Sequence, residues 1–197
     1  AMYILHVDPV LNDTGSSQMH AWVEKRYDFV DPDAVKNGMV AEWLGRFDKT
    51  EENYEQVIKM AYLDDAKIFP EMNVGQIVSH ARMTKRLSIL QPSIGDIPGV
   101  PIQTKKNYEY GLYIAPQSIE HYEKVLDDRL REVVSYKETL KKDKFEREEI
   151  WYVDTIPSKL VIEQLIFYSR SGNFDAVSSQ MLGAAFNKGT AKISEQY

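Results

Sequence analysis

Three acidic residues stand at positions where a folded chain could assemble a cation site. Asp8 closes the apolar run Tyr3-Ile4-Leu5-His6-Val7 and precedes Pro9. Glu71 interrupts a second apolar run, Ile68-Phe69-Pro70-Glu71-Met72, and is followed by Asn73. Asp175 follows the turn Gly172-Asn173-Phe174 and opens the last apolar-periodic segment. Carboxylates brought together repel one another, so a cluster of them is tolerable chiefly when it holds a hard cation with oxygen ligands. Two Mg²⁺ or Mn²⁺ ions in such a cluster would suit hydrolysis of a phosphodiester. Each acid also has an ordinary use. Asp favours turns before Pro, Asp175 suits the positive end of a helix, and a buried Glu can be met by an ion-pair partner. Spacing alone leaves both readings open.

The elements that must position these acids follow from hydrophobic period and turn chemistry. Strands are expected at 3–8, 19–27 and 38–44, separated by the turn-forming stretches 11–17 and 31–38, which makes an antiparallel meander. A helix begins at Thr50, with Thr50 as its cap and Tyr54, Val57, Ile58, Ala61 and Tyr62 on one stripe. The run 66–72 reads as a buried parallel strand, and Asn73-Val74-Gly75 leads into a helix reaching Leu87. A Pro/Gly loop at 95–101 and an extended piece at 110–114 follow. The spacing of Ile119, Tyr122, Leu126, Leu130 and Val133 predicts one long helix over 117–142 with a basic end. A strand at 151–155, a helix at 158–169 and a last helix at 176–186, rich in small residues, complete the order. Helices on both faces of a sheet that is antiparallel on one side and parallel on the other place the chain in the α/β class. In such sheets ligands bind outside the carboxyl ends of the strands, where Asp8 and Glu71 would lie.

Composition narrows the chemistry. The 197 residues carry 24 Lys and Arg against 30 Asp and Glu, a net charge of −6, so a non-specific nucleic-acid coat protein is disfavoured. With no cysteine, thiolate metal sites and cysteine nucleophiles are excluded. His6, His20, His80 and His121 lack metal-ligand spacing, and His6 reads as a packed strand residue. Ser16-Ser17 and Ser178-Ser179 lack a nucleophile elbow. No apolar run approaches the roughly 18 residues of a membrane span. Lys85 and Arg86, after the helix that follows Glu71, and Lys105 and Lys106, in a loop with Tyr108 and Tyr110, are candidate phosphate contacts; as solvated surface charges they would need no such role. Ala1 before Met2 reads as a cloning scar, residues 3–189 as one domain excised from a longer protein, and 190–197 as a flexible tail.

The segments YILHVDP, IFPEMN and SGNFDAVSS, in that order and separation, resemble the three acidic motifs of the nuclease domain of phage large terminase subunits. That family has the RNase H-like (retroviral-integrase-type) fold, with three antiparallel strands followed by parallel ones. The resemblance implies a metal-dependent endonuclease that cuts concatemeric viral DNA. Asp8, Glu71 and Asp175 would be its catalytic and metal-binding residues, with two Mg²⁺ or Mn²⁺ ions. It also implies duplex DNA as a partner, bound weakly by this chain alone. The ATPase domain of the full-length protein, the portal and the small terminase subunit would be further partners, in the cytoplasm of an infected bacterium. No GxxxxGK[ST] loop occurs, so the chain corresponds to the nuclease half. Two departures stand out: Phe174 replaces a common His, and Ala176 replaces a second acid. Asp13 is a candidate substitute ligand. A junction resolvase or transposase-like nuclease, or a degenerate docking module of the motor, are the competing readings.

Overall fold

A computed structural model of the chain describes residues 1–15, 17–26, 36–73, 75–95, 97–101, 108–141 and 144–194. Its centre is a four-stranded sheet formed by β1 (Tyr3–Asp8), β2 (Met19–Lys25), β3 (Gly38–Gly45) and β4 (Ala66–Pro70), in the order β3-β2-β1-β4. β2 pairs antiparallel with β1 and β3, whereas β4 pairs parallel with β1. The antiparallel meander and the parallel direction of β4 are those read from the sequence; the pairing of β4 with β1 comes from the structure. Beyond β4 the sheet is continued by parallel bridges from Ile68 to Leu90 and from Glu71 to Leu112.

The two faces of β1 are both buried, which is why its sequence is apolar throughout rather than alternating. Leu5 and Val7, with Ala21 and Val23 of β2, pack against α1 (Thr50–Leu63) and α2 (Gln76–Met83) through Tyr54, Val57, Ile58, Ala61, Ile77 and Ala81. On the opposite face Ile4 and Phe69 meet α3 (Ile119–Leu130) and α5 (Asp175–Ser194) through Tyr122, Val125, Met181, Leu182 and Phe186. α4 (Lys159–Phe167) joins that face at Val161, which packs near Trp22 and Ala176.

α5 lies close to β2 because its inward residues are small. A Cβ on Gly183 would collide with the Trp22 indole. The Trp22 indole N–H donates to the Ser179 carbonyl at 3.1 Å, and His20 Nδ1 lies 2.5 Å from Ser179 Oγ. The histidines thus serve packing. His6 sits wholly buried 2.9 Å from Glu24, between the rings of Trp22, Phe69 and Phe186.

The long helix expected over 117–142 does not form. Pro116–Ser118 is a 3₁₀ turn, α3 ends at Leu130, and the chain then makes a two-stranded ribbon, β5 (Val133–Lys141) with β6 (Lys144–Trp151). Tyr136 and Leu140 would continue the helical stripe, but most of the residues around them are charged. In the ribbon, Lys137 stands opposite Glu148 and Glu138 opposite Arg147. Opposite charges facing across a pair of strands stabilise this arrangement, whereas the helix would have offered them no core. The base of the ribbon is fixed by Arg129, whose guanidinium stacks 3.9 Å over the Tyr152 ring and donates to the Lys36 carbonyl.

Four smaller readings are corrected. The strand expected at 151–155 is the end of β6 followed by a 3₁₀ turn over Tyr152–Thr155. α2 stops at Met83, with a 3₁₀ turn at Leu87–Ile89. α5 continues to Ser194, into the stretch read as a tail. Lys49, not Thr50, is the N-cap of α1, and neither its side chain nor that of Thr50 caps it. Asp13 does that work from the β1–β2 loop, accepting from the backbone N–H of Thr50 at 2.7 Å and from its hydroxyl. Asp13 is therefore committed to a helix start and does not stand in as a cation ligand. The turn read at Asp31–Asp33 lies outside the described residues.

Candidate active site

The parallel pairing of β1 and β4 brings their carboxyl ends side by side. Glu71 N–H donates to the Val7 carbonyl at 2.8 Å, so the residue after β4 is locked next to the last residues of β1. On its other side Leu112 N–H donates to the Pro70 carbonyl and Met72 N–H to the Leu112 carbonyl. That second lock needs a glycine. Gly111 has φ +65°, and a Cβ there would collide with the Pro70 carbonyl oxygen. Asp175, the first residue of α5, is tied to the strand β2 entry by Gln18, whose N–H donates to Asp175 Oδ2 at 3.1 Å.

The three acids converge. Asp8 and Glu71 stand close enough for each carboxyl to act on the other, and Asp175 adds its field to that of Glu71 at Asp8. Burial and these two neighbouring acids push the Asp8 carboxyl well above the carboxylate range, opposed by a hydrogen bond from Ser178. Burial raises Glu71 to about 7, against the hydrogen bonds it receives from Asp8 and Asn73. Burial also raises Asp175, opposed by the Gln18 N–H. Glu71 is 6% exposed. The Asn73 amide donates to Glu71 Oε1. Across the floor, burial with the charge of Glu71 raises the Tyr122 phenol to about 12.

Among the described residues, the groups that act on Asp8 and Glu71 are carboxyls, an amide and a hydroxyl, and none is a lysine, arginine or histidine. A buried acid pair held without a cationic side chain has the donor chemistry of a hard-cation site. Among the described residues no three acids already stand in a chelating arrangement. The residues suit a divalent ion in their donor chemistry, while their positions do not form a chelating set among the described residues.

The basic candidates are not brought to the acids. α2 carries the chain about 12 Å back along the sheet before Lys85 and Arg86. There Arg86 makes a two-pronged bond with Glu55 of α1, at 2.9 and 2.6 Å, and Glu55 also meets His80. Lys85 is exposed at the same end, and Lys105 and Lys106 lie outside the described residues. A cationic side chain that sequence reasoning passed over is nearer. Arg170 lines the same cleft, of about 530 Å³, as Glu71, Asn73, Phe174 and Ser178. Ser178 was legible in principle, standing three residues after Asp175 on one helical face. Arg170 had only its place in the turn before Asp175 to mark it.

The position of the absent second acid is also explained. Ala176 is fully buried among Trp22, Tyr152, Ile156 and Val161, and its N–H donates to Gln164 Oε1 at 2.9 Å. A carboxylate there would enter the core instead of the acid cluster.

No protein-family model matches the chain, and no curated protein matches it. Among solved structures it is similar to a mutant nuclease domain of the large terminase subunit gp2 of bacterial virus Sf6, solved with manganese and beta-thujaplicinol. The match covers 92% of this chain and 88% of that one, at 11% identity and a TM-score of 0.40. No helix among the described residues is long and apolar enough to cross a membrane.

Proposed function

We propose that the chain is a metal-dependent DNA endonuclease domain with an RNase H-like sheet, acting in a viral DNA-packaging terminase. The reading is supported by the proximity of Asp8, Glu71 and Asp175 at the carboxyl ends of the parallel strands, with no cationic side chain among the described groups acting on the Asp8–Glu71 pair. These three would hold Mg²⁺ or Mn²⁺, two ions in the full site. When bound, such ions polarise a phosphoryl oxygen and acidify a water.

The chain's own residues set the stage for that chemistry. Asn73 fixes one oxygen of Glu71, and Ser178 acts on the Asp8 carboxyl. Gln18 ties Asp175 to the strand loop, so the α5 start cannot drift from the sheet. The half-buried setting limits water around a phosphate seated there, which strengthens every charge interaction it makes. The terminase assignment, and with it concatemeric DNA as substrate and the ATPase domain, portal and small subunit as partners in an infected bacterium, rests on the order of the three acidic motifs.

Plasmid nicking in Mn²⁺ or Mg²⁺, with chelator as control, tests the activity. Wild-type chain should nick, chelator should stop it, and Asp8→Asn should abolish it while circular dichroism shows the fold intact. Metal-dependent nicking retained by Asp8→Asn would falsify the assignment. Branched against linear duplex then separates a resolvase from a terminase.

A further inference from the structure

The cleft beside the acids has a wall that the acids do not explain. Tyr168 and Arg170, in the link between α4 and α5, both bond to Glu123 of α3: the phenol donates to Oε1 at 2.9 Å, Arg170 Nε to Oε1 at 2.8 Å and Nη2 to Oε2 at 2.5 Å. The Arg170 side chain is nevertheless 56% exposed, whereas Glu123 is 21% exposed. Glu123 engages one edge of the guanidinium, through Nε and Nη2, which directs the donors of Nη1 away from it. Among the described residues that line the cleft, Arg170 alone is cationic.

We propose that this cleft is a subsite for the DNA strand being cut, in which Arg170, held by Glu123 and Tyr168, takes a backbone phosphate next to the scissile one. The inference rests on the nuclease reading above and adds to it a residue that positions substrate. A strand entering a pocket floored by Glu71 meets like charge, so a fixed cation at the rim decides whether it can approach. Lys85 and Arg86 stand a helix length away and cannot serve. An arginine already held in place loses little side-chain freedom on binding a phosphate, and its planar fork suits one. Phe174, edge-on to the Tyr168 ring at 5.4 Å, closes the same wall and gives the sugar an apolar support.

Steady-state cleavage by the full chain, with substrate concentration and salt varied, tests this. Arg170→Ala should raise KM about tenfold while kcat stays within about twofold, the effect of losing one charge-assisted contact made equally in ground and transition states. The slope of log kcat/KM against log salt should flatten by about 0.9, one phosphate contact. Arg170→Lys should keep the wild-type slope with a smaller rise in KM, and Glu123→Gln, which loosens the anchor and leaves the charge, should do likewise. A purely structural clamp predicts something else: lower melting temperature in all three variants, with KM and the salt slope unchanged. That outcome overturns the proposal. If Arg170→Ala does not fold, an unchanged KM in both conservative variants overturns it equally. The nuclease reading fails separately, through a wild-type chain that neither binds Mn²⁺ by calorimetry nor nicks DNA.

Discussion

Burial makes ionisation of the neighbouring Glu71 and Asp8 carboxyls costly, and that cost makes the metal-free fold depend on pH. Glu71 is raised from its ordinary 4.5 to about 7. Between those values the folded chain binds more protons than the unfolded one, so its stability falls as pH rises through this window. The contribution is fully present below about 4.5 and gone above about 7, on the order of 3 kcal/mol for a group this buried. Asp13, Glu55 and Glu123, each held low mainly by hydrogen bonds, act in the opposite sense at more acid pH. A difference between variants therefore isolates the pair. Thermal melts in chelator should show Glu71→Gln more stable than wild type at pH 7.5, by roughly 6–12 °C, with the gain shrinking at pH 5. Mn²⁺ should raise the wild-type melting temperature more at pH 7.5 than at pH 5, because at low pH the ion competes with the proton. It should raise that of Glu71→Gln little at either. Equal melts for wild type and Glu71→Gln at pH 7.5 would mean that the acids are not strained against each other.

The elements place those acids through close backbone contact as much as through side-chain packing. Gly111 is the clearest case: the bridging strand can reach the Pro70 carbonyl only without a Cβ. Gly111→Ala combines that collision with a positive φ, so it should cost about 1–3 kcal/mol and displace Glu71. The expected result is a melting temperature lowered by several degrees and a larger loss of cutting than of folded protein; full activity would show that the Leu112 bridge does not position Glu71. Nothing in the sequence announced this contact, because a Gly in Tyr110-Gly111-Leu112 looks like any loop glycine. The strands were legible where burial imposes a pattern, as in Ile4 to Val7, apolar on both faces. The helix over 117–142 was misread because its first half carries a true stripe, Ile119 to Leu130, and the charged second half shows no strong period of its own. What makes it a ribbon is pairing between residues ten or so positions apart, Lys137 with Glu148 and Glu138 with Arg147, which a local window does not register. Asp8 and Glu71 stood out through their place at strand ends and Asp175 through its helix start, each also with an ordinary use that spacing left open. The tie from Gln18 to Asp175 was not legible, since it depends on backbone brought from elsewhere in the chain.

At the scale of the whole molecule the charge balance opposes the proposed substrate. A chain of net charge −6 repels duplex DNA at long range, and the cationic side chains described near the sheet are largely occupied. Arg86 is paired with Glu55, Arg129 with Glu132, Arg131 with Asp127 and Lys188 with Asp128. Arg170 is paired with Glu123 through one edge of its guanidinium, which leaves only its Nη1 side for a phosphate. Affinity for DNA comes mainly from releasing the counterions of contacted phosphates, so few free cations mean few contacts. A site that reaches a phosphate only through Arg170 and bound ions should bind in the range of micromolar or weaker at about 150 mM salt. Its dependence on salt should be shallow, with a slope on the order of −2 where extensive phosphate contact gives slopes near −6 to −10. Anisotropy of a labelled duplex, titrated with the chain at several salt concentrations, checks both numbers. Nanomolar binding or a steep slope would mean that a basic surface beyond the cleft holds the DNA. The predicted weakness has a physical use in a cutting domain. On the proposed reading, a nuclease that holds DNA this weakly would cut only where another body presents the strand.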